Sequence, residues 1–175
     1  QTRLDQHEIF SLAYADLDHF KPFNDHYGFS RGDEVIRIAG RLILNIIKNI
    51  QPQGSFVGHI GGDDFVFIMD VALAASAAQE IIDAFDRIMP TMYESEDRAR
   101  GYIETRDRQG VVSRFPPVSI SIGITSNQSL DFIHYGQITG VASEMKSHAK
   151  EVFGSCYRVD KRRRGNNLNS DGCFT

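Results

Sequence analysis

Two carboxylates in this 175-residue chain stand where chemistry could be done. Asp16 follows a short apolar run. Asp63 lies in FVGHIGGDDFVFIMD (56–70), where two apolar runs close on Gly61-Gly62-Asp63-Asp64. Adjacent carboxylates at the tip of a turn repel each other, and a single Asn-Gly pair would reverse the chain with less charge. A hard divalent cation removes that conflict, because it takes a few carboxylate oxygens and completes its shell with waters and substrate phosphates. Gly61 and Gly62, lacking a Cβ, let backbone come close to a bulky ligand. Lys146 and Lys150 are spaced i and i+4, share one helix face and could hold a triphosphate. Read singly, these features also fit a solvated turn and a solvated lysine pair. The chain has no GxxxxGK[ST] loop, so any nucleotide site is not of the P-loop kind. Its six histidines are scattered without metal-ligand spacing, and His59 beside the glycines suits a structural or interfacial role.

The two aspartates meet only if the elements carrying them are neighbours in one sheet. Residues 9–15 (IFSLAYA) read as a buried strand ending at Asp16-Leu17-Asp18. In DHFKPFNDHYG, Pro22 can start a short helical turn and Gly28 can end it. From Gly32 onward, Val35, Ile38, Ala39, Leu42, Ile43, Ile46 and Ile50 recur at helical spacing, which predicts a helix ending before Pro52. Residues 56–60 and 65–69 read as two strands around the glycine-aspartate turn. A second helix carries Ala78, Ile81, Ile82, Phe85 and Ile88 and stops at Pro90. Residues 99–115 read as a hairpin with its tip near Arg108-Gln109-Gly110. Val118, Ile120, Ile122 and Ile124 alternate with Ser119, Ser121 and Gly123, predicting a half-buried strand. A long helix over 132–150 and a short strand over 156–159 follow. The expected fold class is α/β (α+β): a central mixed, partly antiparallel sheet wrapped by helices.

Composition bounds the function. A hydrophobic share of 41% and a charged share of 24% are those of a globular protein with a sizeable core. A formal net charge of −4 argues against a general nucleic-acid-binding surface, although local lysines can still hold a small phosphorylated ligand. Two cysteines, Cys156 and Cys173, with no CxxC exclude a cysteine-rich zinc module and point to a reducing cytoplasm. No apolar stretch is long enough to span a bilayer, so no membrane contact by this segment is expected. The expected organisation is a single domain over 1–160, excised from a longer chain, with a polar basic tail over 161–175. The tail's run at 161–164 reads as a solvated charge run.

The motifs together resemble the GGDEF family of bacterial diguanylate cyclases. GGDDF at 61–65 is similar to that family's signature turn. DLDHFKPFNDHYGFSRGDEVI at 16–36 resembles its D-[IL]-D-x-F-K-x-[IFV]-N-D-x-[FY]-G-x-x-x-G-D block, and VSISIG at 118–123 its S-I-G element. The resemblance covers roughly residues 9–160. It implies a fold related to nucleotide cyclase and polymerase palm domains. It also implies Asp16, Asp63 and the Leu17 carbonyl as ligands of Mg²⁺ (or Mn²⁺), with Asp63 as essential carboxylate and Asp64 beside it as a further catalytic position. By the same resemblance, Asn24 and Asp33 read guanine, Gly61 and Gly62 underlie the nucleotide, and Phe20 lines the substrate site. Lys21, Lys146 and Lys150 match contacts to the reacting phosphates.

The implied reaction is condensation of two GTP to cyclic di-GMP by a homodimer, one GTP per domain, with sensor or EAL domains as possible fusion partners. Four positions depart from the family pattern. Asp64 stands where glutamate is usual, and Phe29 where histidine is common. The opening D-x-L-T-x-L-P-N-R segment is absent, as is the RxxD product-inhibition motif expected at Pro52-Gln53-Gly54-Ser55. The alternative is a catalytically impaired GTP-binding domain that regulates an adjacent EAL phosphodiesterase. An unrelated metal-dependent phosphatase would explain Asp16 and Asp63 but not the guanine-type pair.

Overall fold

A computed structural model describes residues 2–106, 110–128 and 130–162. A short helix α1 (Thr2–Asp5) precedes β1 (Ser11–Asp18), and α2 (Phe20–Tyr27) and α3 (Phe29–Ile50) follow in quick succession. β2 (Phe56–Gly61) and β3 (Asp64–Met69) form the central hairpin, and α4 (Val71–Ile88) leads through a 3-10 turn, Met89–Met92, into α5 (Ser95–Arg100). β4 (Ile103–Arg106) pairs with β5 (Val112–Phe115) in a separate hairpin. The chain then runs through β6 (Ser119–Ser126), α6 (Tyr135–Lys150) and β7 (Cys156–Val159).

The main sheet has five strands in the order β2-β3-β1-β6-β7. β1 runs antiparallel to both β3 and β6, while β6 and β7 are parallel, so the sheet is mixed as expected. Period-2 alternation divides β1 between two faces. Ala13, Ala15 and Leu17, with Phe65, Phe67 and Met69 of β3, join the larger core with the buried stripes of α3 and α4. Leu12 lies on the other face, in a smaller core with Leu4, Phe10, Ile138 and Ala142, and α6 covers it.

α3 forms because Val35, Ala39, Leu42, Ile43, Ile46 and Ile47 make one buried stripe. It begins at Phe29, earlier than the apolar periodicity suggests, because Gly28 at φ 87° turns the chain directly from α2 into it. Its end at Ile50, before Pro52, is as expected.

The largest departure is β6. It is buried along nearly its whole length, not half-exposed. Ser119, Ser121 and Gly123 face α6 instead of water, and a Cβ on Gly123 would lie 2.1 Å from the Lys146 backbone nitrogen and 2.2 Å from the Ala142 carbonyl oxygen. The small residues there make room for a helix. In β1 the aspartates also lie within the strand, not beyond its end. The short helices α1 and α5 carry too few residues for periodicity to reveal them. The 107–109 part of the expected β4–β5 tip, Cys173, and Arg163 and Arg164 of the basic run lie outside the described residues. No helix among the described residues is long and apolar enough to cross a membrane.

Candidate functional site

The sheet face beneath α6 carries the charged groups. Asp16 and Asp18 are two apart on β1 and so share a face, and the register sets Asp64 of β3 and Ser121 of β6 on either side of Asp16. Ser119 stands opposite Asp18. Because Gly123 lets α6 lie directly on β6, the helix carries Lys146 and Lys150 over this end of the sheet. Lys146 Nζ bridges Asp16 Oδ2 at 3.1 Å and Asp64 Oδ1 at 2.6 Å. Lys150 Nζ donates to Asp16 and lies 3.3 Å from Asp18 Oδ1.

Burial and pairing compete in this cluster. For Asp16, burial is the larger influence and moves the carboxyl above the ordinary carboxylate range, although Lys150 and Lys146 both pull it down. Burial likewise works against the charge of both lysines, but the carboxylates they touch hold their ammonium groups above the usual lysine range.

The adjoining turn is open and pinned. Gly61 at φ 146° and Gly62 at φ 58° adopt conformations L side chains avoid, and a Cβ at either would meet nothing within 4 Å. Leu17 N–H donates to the Asp63 carbonyl at 3.3 Å, which ties the turn to β1 and brings Asp63 beside the residue after Asp16. His59 Nε2 bonds to the Gly62 carbonyl at 2.8 Å and its ring stacks on Phe65 at 4.9 Å, so it braces the turn from within the chain.

α2 starts immediately beyond β1. Phe20 is buried, Lys21 is exposed, and Asn24 one turn further on faces α3. Asn24 Oδ1 is the one buried side-chain nitrogen or oxygen without a hydrogen-bond partner among the described residues. It fits because Gly32 of α3 is small there: a Cβ on Gly32 would fall 1.6 Å from that oxygen. Asp33, the next residue, is exposed.

The structure thus gathers Asp16, Asp64, Lys146 and Lys150 in direct contact, sets Leu17 and Asp63 beside them through the backbone, and places Phe20, Lys21, Asn24 and Asp33 on the adjoining helices. Three residues the sequence reading passed over belong to the same cluster. Ser119 and Ser121 donate to Asp18 Oδ2 at 3.1 and 2.7 Å. Period-2 spacing from Asp16 was the signal that could have found Asp18. Arg162, expected as part of a solvated charge run, is exposed but also pairs with Glu144 and Asp160 within the chain.

The donors fit a hard cation. Carboxylates and backbone carbonyls are the oxygen ligands Mg²⁺ prefers, and no cysteine or histidine stands among the clustered groups. No three His, Cys, Asp or Glu converge as a ready-made cage among the described residues. Mg²⁺ does not require one, because it is held by one or two carboxylates together with substrate phosphates.

Comparisons with known proteins give the chain its family and match its fold. Residues 1–152 match the family described as diguanylate cyclase, GGDEF domain. The chain is 38% identical over 63 residues to YhcK of Bacillus subtilis, covering 36% of this chain and 16% of that protein. It is 32% identical over 72 residues to the diguanylate cyclase DgcP of Pseudomonas aeruginosa, covering 41% of this chain and 10% of that one. The matched segments therefore span less than a quarter of the curated relatives' length. Among solved structures, the GGDEF domain of DgcB from Caulobacter crescentus, in complex with c-di-GMP, superposes with a TM-score of 0.59 at 20% identity, covering 90% of this chain and 80% of that one.

Proposed function

Because the chain belongs to the GGDEF family of diguanylate cyclases, we propose that it binds GTP at this end of the sheet and, facing a second copy, condenses two GTP to cyclic di-GMP. The observation that carries this reading is Asn24 Oδ1, a buried acceptor with no partner in the protein, held open by Gly32 one element away from the carboxylate–lysine cluster. A guanine N–H satisfies such an acceptor and removes its desolvation cost. Asp33 supplies a carboxylate for the same base, and Phe20 lines the pocket. Gly61 and Gly62 leave space over the turn for the nucleotide. Lys21, Lys146 and Lys150 are the cations for its phosphates.

Asp16, the Leu17 carbonyl and Asp63 are the oxygen donors that would hold Mg²⁺ (or Mn²⁺). When bound, the ion supplies positive charge against the α-phosphate and acidifies the attacking hydroxyl. Asp63 accepts the 3′-hydroxyl proton. Each 3′-oxygen forms a bond to the α-phosphorus of the other GTP, and each α-phosphorus–oxygen bond to the β-phosphate breaks, so two pyrophosphates leave for each cyclic di-GMP. One domain presents one GTP, so two domains must meet about a two-fold axis. No RxxD stands at 52–55, and feedback inhibition through that position is not expected. In this structure Ser55 instead bonds Lys48 and the Gln51 carbonyl.

Asp64 favours a second reading. Its carboxylate is engaged by Lys146 at 2.6 Å and is one methylene shorter than the glutamate usual in the family. Under this reading the domain binds GTP without turning it over and controls an attached EAL phosphodiesterase. Incubating an enforced dimer with GTP and Mg²⁺ or Mn²⁺, and separating products by chromatography, decides between them. We expect cyclic di-GMP, with Asp63→Ala reducing its formation by at least ~100-fold. GTP binding without product supports the regulatory reading, and absence of GTP binding overturns both.

A further inference from the structure

We propose that Asp18 is a positioning residue for triphosphate binding, acting through Lys150 and oriented by the hydroxyls of Ser119 and Ser121. The inference rests on the GTP reading of the site. Asp18 differs from its neighbours in what its two oxygens do. Oδ2 accepts from Ser119 Oγ at 3.1 Å and Ser121 Oγ at 2.7 Å, both on buried residues of β6. Oδ1 is left pointing at Lys150 Nζ, 3.3 Å away. The carboxylate is therefore fixed from below by neutral donors and offers its remaining charge to one cation. Its side chain is 13% exposed, little more than that of Asp16.

Asp16 and Asp64 also hold the lysines, but Asp16 is a candidate cation ligand and Asp64 adjoins another, so their hold is exchangeable when ligands arrive. Asp18 is already saturated at one oxygen and is not. A free lysine side chain loses rotamer freedom when it is ordered. A fixed partner beneath Lys150 bears that cost before the nucleotide binds. An ammonium has three donors, so the bond to Asp18 leaves donors for phosphate oxygens. Lys150 and Asp18 also line a cavity of about 460 Å³ with Ser119, His19 and Gly154, which gives room beside the ammonium.

The test is calorimetric titration with GTP and with GMP, in EDTA so that no metal contributes. Lys150→Ala is expected to weaken GTP about 10-fold and Asp18→Asn about 5-fold, in line with loss of a charge-assisted contact. The asparagine keeps an acceptor for both serine hydroxyls. The Ser119→Ala/Ser121→Ala variant, which keeps the carboxylate but frees it, is expected to weaken GTP about 3-fold. Asp18→Asn added to Lys150→Ala should cost nothing more, because the first acts only through the second. GMP, which lacks the β- and γ-phosphates, should bind all variants alike.

A penalty of equal size for GMP, or additive penalties for Asp18 and Lys150, overturns the proposal. If Lys150→Ala weakens GTP while Asp18→Asn and the serine pair do not, the positioning role fails and the GTP site stands. If GTP binds but Lys150→Ala has no effect, the lysine's assigned contact fails and the positioning role with it. If wild type binds no GTP, the functional reading falls first.

Discussion

At the scale of single residues, the proposed purine pocket depends on a hydrogen atom where any other residue would place a carbon. Asn24 keeps its buried oxygen only because Gly32 has no Cβ. Gly32→Ala should leave the helix intact, since alanine is favoured over glycine in a helix interior by roughly 0.5–1 kcal/mol. The added methyl must expel the Asn24 side chain. We expect GTP affinity to fall about 10-fold with little change for ATP, measured by competition binding; unchanged discrimination between GTP and ATP would remove Asn24 from the base pocket. Asn24 was legible in the sequence as part of a motif. Its dependence on Gly32 was not, because the contact crosses the α2–α3 corner and belongs to no periodic pattern.

At the scale of elements, the presence of a strand was easier to foresee than its exposure. The alternation in 118–124 identified β6 as a strand, but small residues on one face answer equally to water and to a closely packed helix. Gly123, with α6 almost touching its backbone, shows which of the two applies. α5 illustrates the opposite case, an element too short for any pattern yet firmly held. Its Asp97 is buried and accepts from Tyr27 and Arg100, and His26 bonds it through Nε2 at 3.0 Å while reaching the Glu104 carbonyl through Nδ1 at 3.0 Å. This knot joins α2, the helix of Asn24, to α5 and β4. Burial opposes the charge on Asp97, but Tyr27, Arg100 and His26 together hold its carboxyl below the ordinary carboxylate range. A folded pKa below the unfolded value of about 3.9 means that the stabilisation is present above that pH and is lost as pH falls through and below it. Asp97→Asn should cost about 2 kcal/mol at neutral pH and flatten the loss of stability in acid, as urea unfolding at pH 7, 5 and 3.5 would show. An unchanged acid profile would assign that loss to other carboxylates.

At the scale of the whole molecule, β1 is the hub: it comes early in the chain, yet pairs with β3 on one side and β6 on the other. The mixed sheet and its helices could be expected from the succession of apolar patterns. The strand order could not be, because it depends on which distant strands meet. A chain ending at Pro117 lacks β6 and α6, and with them one edge partner of β1 and the cover of its second face. We expect that fragment to show no cooperative urea transition and to be cut rapidly by protease within β1; a sharp transition would mean that the first two thirds of the chain fold alone. The ion pair between Lys146 and Asp16 spans 130 positions of sequence. At about 5–20 residues per second, a ribosome takes on the order of 10 s to cover that interval. Over the later part of it, once Asp64 has been made 82 positions before Lys146, Asp16 and Asp64 are available to pair across β1 and β3, but the ammonium groups that offset their repulsion have not yet been made. Synthesis of α6 therefore both supplies the lysines proposed to bind phosphate and relieves a charge conflict that the nascent chain has carried since its first hairpin.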